Sequence, residues 1–249
     1  MATSFGALCN DFYVNHKVAL KMDLPGDRET LLHLFDRVRK SIPSMSKFQP
    51  FENELTLESS RKQRDFRCLT LRPRSIRTAY FNPPSMPQAY DFHKTVLELA
   101  PYHLSLSPLD IDYCELVFGF DLECKGNQDE TVFEALYANT PLGELGTVEN
   151  GRILDAQPFL NIMLDDKGSL QACFEVKTRN RSKRGGTRRY RHEPISLFLT
   201  VRKFGPLQDV KELKTNVDEI SQIAEKLATE HFIPHLLTPV ARHITSSSA

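Results

Sequence analysis

The sequence predicts an α+β fold, with antiparallel sheets that carry helices packed on one face, and three observations carry that expectation. Residues 12–23 alternate apolar and polar side chains over about a dozen positions. Residues 109–123 form a second long extended run that is almost continuously apolar from Cys114 to Phe120, as in a central strand. The order strand, helix, three strands, helix then reads twice along the chain.

Taken in order, Phe12, Val14, His16, Val18, Leu20 and Met22 share one face of the first strand, which Pro25-Gly26 breaks. Asp27 caps a helix over 28–41 whose Leu31, Leu34, Phe35, Val38 and Ile42 form one stripe, ending before Pro43. Three short strands are expected near 50–58, 65–72 and 75–81. Ser85 and Gln88 start a helix through about residue 100, which Pro101 stops. The strand at 109–123 follows, and Asn127 with Glu130 opens a helix near 129–139. Strands are next expected near 153–165, 169–181 and 188–203, the first two joined by the turn residues Asp165 to Gly168. The last helix, about 209–230, places Val210, Leu213, Val217, Ile220, Ala224 and Leu227 at 3-4 spacing, as a core stripe or a coiled-coil seam in a homodimer. Pro234 should break that helix, and the Ser-rich residues 246–248 should fray. Helix-grip and saddle-like folds share this order, with a first half at 1–104 and a second at 105–249 forming one integrated unit. No residue-level identity links the halves.

Composition places the chain among ordinary water-soluble proteins: 40% hydrophobic, 26% charged, rich in Phe and without Trp. No apolar run reaches the length of a membrane helix, and the first residues lack a secretory signal, so a cytoplasmic protein with no membrane partner is expected. Cys9, Cys68, Cys114, Cys124 and Cys173 are odd in number, scattered and without a C-x-x-C pair, which argues for free thiols and against a zinc knuckle. Net charge is zero but uneven: residues 61–77 carry +6, residues 177–191 carry +8, and the rest carry −14. Such asymmetry points to an anionic partner.

The leading candidate surface is the basic hairpin, where Lys177, Arg179, Arg181, Arg188, Arg189 and Arg191 surround Tyr190. Guanidinium forks suit phosphate, and a tyrosine among them can stack on a base, so nucleic acid or another polyanion is the expected partner. A solvated hairpin tip is the plainer account. Arg61, Lys62, Arg64, Arg67, Arg72, Arg74 and Arg77 occupy the corresponding part of the first half, and would share a surface with the hairpin if the halves pack symmetrically. Asp121, Glu123 and Lys125 alternate near a strand end and resemble the E-x-E-x-K strand of triphosphate-processing tunnel enzymes. Lys177, Arg179, Arg202 and Lys203 would then hold phosphates beside a divalent metal. That family carries its motif near the chain start, and Asp121 stands here for the first Glu. His231 and His235 lie four apart beside Glu230, with Pro234 between them. No Walker loop, G-x-S-x-G or dinucleotide fingerprint occurs, so no catalytic residue, cofactor or metal is assigned.

The phrases DFYVNHKVALKMDLP, SPLDIDYCELVFGFDLECKGNQDE, FEVKTR and EPISLFLTVRKFGP resemble a bacterial, planctomycete-type family of uncharacterised proteins. The resemblance spans nearly the whole chain, implies one integrated unit and brings no activity with it. The expected function is therefore a non-enzymatic binding protein with a basic surface for an anionic partner; a metal-dependent phosphohydrolase and a self-associating structural subunit are the alternatives.

Overall fold

The computed structural model describes residues 5–61, 64–178 and 193–247. Among these residues nine strands form one sheet: β1 (Asp11–Leu20), β2 (Met45–Phe51), β3 (Glu54–Ser59), β4 (Phe66–Arg72), β5 (Ser75–Phe81), β6 (Ile111–Leu122), β7 (Phe159–Met163), β8 (Leu170–Lys177) and β9 (Ile195–Phe204). Their spatial order is β2-β3-β4-β5-β1-β6-β9-β8-β7, and every pairing is antiparallel. The α+β fold is thus realised with the two sets of strands joined edge to edge. β1 and β6 pair along nearly their full lengths at the centre, which leaves no inner edge exposed.

The helices are α1 (Arg28–Ser41), α2 (Met86–His103), α3 (Gln128–Leu136), α4 (Glu212–Leu227) and α5 (Thr238–Ser247). Asp27, Ser85 and Asn127 each accept a hydrogen bond from the backbone N–H three residues on, as their cap chemistry requires. α2 packs against α1 and α4, and α4 lies across β6 and β9. Beneath them Phe12, Val14, His16 and Val18 of β1 are fully buried with Leu116, Phe118 and Phe120 of β6. The rings of Phe12 and Phe120 stand 5.0 Å apart, and Phe232 closes on Phe120 at 5.2 Å.

Four expectations are corrected. The run at 50–58 is two strands, because Glu52-Asn53 makes a two-residue turn between Phe51 and Glu54. α2 passes Pro101 by two residues, since burial of Ala100 and Pro101 outweighs one lost hydrogen bond in a last turn. Pro234 does not end the last helix: a π-helical segment, Ala228–Leu237, carries the chain through it into α5, which extends to Ser247. The stripe Leu213, Val217, Ile220 and Ala224 of α4 is buried in the core, so it is not free to act as a homodimer seam through the C-terminal helix. No helix of the described residues is long and apolar enough to cross a membrane.

Candidate functional site

Strand alternation sends one set of side chains to the helices and the other to the opposite face. Register then decides which of the latter meet. Across β4, β5, β1, β6 and β9 the row runs Thr70, Arg77, Lys17, Glu115, Arg202, each directly opposite the next. Two nitrogens of Arg202, Nε and Nη2, donate to Glu115 Oε2 at 3.0 and 2.8 Å, and its guanidinium lies 4.6 Å from the Tyr113 ring. Lys17 donates to the Tyr113 hydroxyl and stands 3.8 Å from Glu115 Oε1. Glu115 therefore has cations on both sides.

Arg77 feels the charges of Glu115 and Glu54 only at longer range. Its Nε donates to Ser75 Oγ at 3.3 Å, and among the described residues no carboxylate lies within ion-pair distance. Burial, reinforced by the charge of Arg72 nearby, lowers this guanidinium from its ordinary value. Its cross-strand neighbour Lys17 is also a cation, and like charges directly opposite destabilise a sheet.

A cavity of about 260 Å³ opens here, lined by Asn15, Lys17, Glu54, Cys68, Thr70, Arg72, Arg77 and Glu115. Lys17, Arg72 and Arg77 also border an adjoining depression of about 470 Å³ beside Arg74 and Asp112. Arg72 is held by Glu54 at 2.7 Å and Arg74 by Asp23 at 2.7 Å. On the cavity wall, Asn15 Oδ1 is buried and makes no hydrogen bond among the described residues. The arrangement suits a ligand that brings negative oxygens to Lys17 and Arg77 and a polar group to Asn15.

The other sequence candidates separate. Lys177 is exposed, 3.0 Å from Glu175 and over the Phe198 ring at 5.5 Å. Arg179, Arg181, Arg188, Arg189, Tyr190 and Arg191 lie outside the described residues. In the first basic stretch, Arg61 pairs with Glu58, Arg64 reaches the Asn10 carbonyl, and Arg67 reaches Ser44 and Tyr80, so only Arg72 and Arg77 face the cavity. Lys62 is outside the described residues.

The enzyme-like constellation does not assemble. β6 ends at Leu122, leaving Glu123 and Lys125 exposed beyond it, while Asp121 accepts from the Ser196 hydroxyl at 2.6 Å. Arg202 and Lys203 point to opposite faces, Arg202 to Glu115 and Lys203 to Asn216 and Glu219 on α4. His231 and His235, expected to be separated by Pro234, instead border one apolar cavity on the helix side, and the π-helical spacing puts them there. No cluster of three or more His, Cys, Asp or Glu arranged to hold a metal occurs among the described residues.

Sequence reading passed over Asn15, Lys17 and Glu115. The alternation of β1 already put Asn15 and Lys17 on its polar face, but nothing local marked Glu115 inside its apolar run. No protein-family model matches the chain, and no curated protein matches it either.

Proposed function

We propose that this chain is a binding protein whose ligand carries a phosphate or carboxylate group, seated against Lys17 and Arg77 on the face away from the helices. The observation that carries this reading is the Arg77–Lys17 pair, two cations directly opposite each other, one of them half-buried and, among the described residues, without a carboxylate at ion-pair distance. An anion placed between them would relieve both the repulsion and the desolvation of the guanidinium. The basic stretch of sequence from Lys177 through Arg191 adds positive charge for a larger polyanion such as nucleic acid. The five free cysteines accord with a reducing, cytoplasmic setting.

Calorimetric titration with inorganic pyrophosphate at low salt tests the reading. Arg77→Met should weaken binding about tenfold or more, since a charge-assisted contact contributes roughly 1.5–3 kcal/mol. Replacing Arg179, Arg181, Arg188, Arg189 and Arg191 by Ser should leave pyrophosphate affinity within about twofold and reduce the binding of single-stranded oligonucleotides. If the unmodified protein binds no polyanion at low salt, or Arg77→Met binds as well as the parent, the proposal is wrong.

A further inference from the structure

The two edges of the sheet are built differently. β2, at one end, carries Lys47 and Pro50, two devices that discourage pairing with another chain. β7, at the other end, reads Phe159-Leu160-Asn161-Ile162-Met163, without charge or proline, and all five residues are exposed. Among the described residues β8 is its one hydrogen-bonding strand, and no described strand lies beside its outer backbone groups. Of the fourteen exposed large apolar side chains among the described residues, eight fall between residues 142 and 163.

We infer that the occupant of this edge is a second copy of the chain, with β7 pairing antiparallel to its own counterpart about Asn161. That register sets Leu160 opposite the other copy's Ile162 and Phe159 opposite its Met163, with Asn161 facing Asn161, so apolar meets apolar and no charges oppose. It extends the antiparallel pattern of every existing strand pair into one continuous sheet across the dimer. On the helix side, Leu160 and Ile162 form a wall of an apolar cavity of about 580 Å³ backed by Phe174 and Phe232, which the partner's Ile162 and Leu160 would cover. Each exposed apolar side chain presents on the order of 100 Å². The four apolar side chains of β7 thus present about 400 Å², half of the roughly 800 Å² per partner of a stable interface.

Sedimentation equilibrium of the full chain over micromolar concentrations tests this. The parent should be a dimer, Leu160→Lys should shift it at least tenfold toward monomer, and Phe51→Lys on β2 should remain a dimer; circular dichroism establishes that each variant folds. In an oxidised equal mixture of Phe159→Cys and Met163→Cys chains, the 159–163 cross-link between copies should predominate. A monomeric parent, a Leu160→Lys variant that dimerises as well as the parent, or a Phe51→Lys monomer would each overturn the inference. A dimer that yields no 159–163 cross-link would overturn the register.

Discussion

Tyr13 and Gly119 stand directly opposite each other on β1 and β6, and the tyrosine ring occupies the space a side chain at 119 would need: a Cβ there would come within 2.1 Å of Tyr13 Cε2. The missing side chain lets a row of rings cross the helix-free face, Phe66 to Phe81 at 5.6 Å, Phe81 to Tyr13 at 4.9 Å and Tyr13 to Phe198 at 6.3 Å. Glycine weakens a strand interior, and an aromatic neighbour laid over it restores the lost packing.

Gly119→Ala should therefore destabilise the fold by about 1–3 kcal/mol through overpacking, although alanine suits a strand no worse than glycine. Urea denaturation measures the loss. Combining it with Tyr13→Ala should give a total smaller than the sum of the two single losses, because the clash then has no second partner. Additive losses would count against the packing account.

Glu115→Gln should strengthen anion binding and steepen its salt dependence, because Lys17 and Arg202 would lose the carboxylate they share. Stability should fall by only about 1 kcal/mol or less, as expected for a partly exposed pair. Titration with pyrophosphate at two salt concentrations checks the sign, and weaker binding would contradict the site.

The core histidines set an acid limit. His16 is fully buried, and burial pushes it down to about 3; His93, donor or acceptor to Thr78 Oγ1 at 2.7 Å, is driven well below its ordinary value by burial and by His16. The unfolded chain takes up these protons near pH 6.5 and the native state refuses them, so stability falls as pH drops from 6.5 toward 3. The expected slope is about 1.4 kcal/mol per pH unit for each histidine. Urea unfolding at pH 7, 5.5 and 4.5 should show it, and His16→Leu should remove about one proton's share of the slope.

All five thiols should titrate in denaturant without reductant, since all are free. In the native protein Cys9 and Cys114 should react with alkylating reagents far more slowly than an unhindered thiol, because burial pushes both up to about 12. Fewer than five thiols in denaturant, or native rates matching a free thiol at pH 8, would oppose this.

What the sequence determined by itself is what depends on near neighbours. The alternation from Phe12 to Leu20, the caps at Asp27, Ser85 and Asn127, and the Asp165–Gly168 turn act within a few residues and appear where the local pattern put them, whereas Met22, expected on the packed face, lies beyond β1 and is exposed. Gly168 takes φ +68°, and the Asp165 carboxylate accepts the Leu170 N–H at 3.0 Å, which is turn chemistry readable from the residue types. The tertiary structure decided the rest, where distant contacts compete with local rules. Burial of Phe232 and Leu237 carries a helix through Pro234 against local preference, and the apolar stripe of α4 goes to the core rather than to a partner helix. The candidate site was illegible for the same reason. Arg77 is one of seven basic residues in its stretch, all alike as sequence. Only the register of β5 on β1, and of β1 on β6, sets it opposite Lys17 and leaves Glu115 to Arg202, because cross-strand pairing is fixed by the packing of whole faces and not by any residue's immediate neighbours.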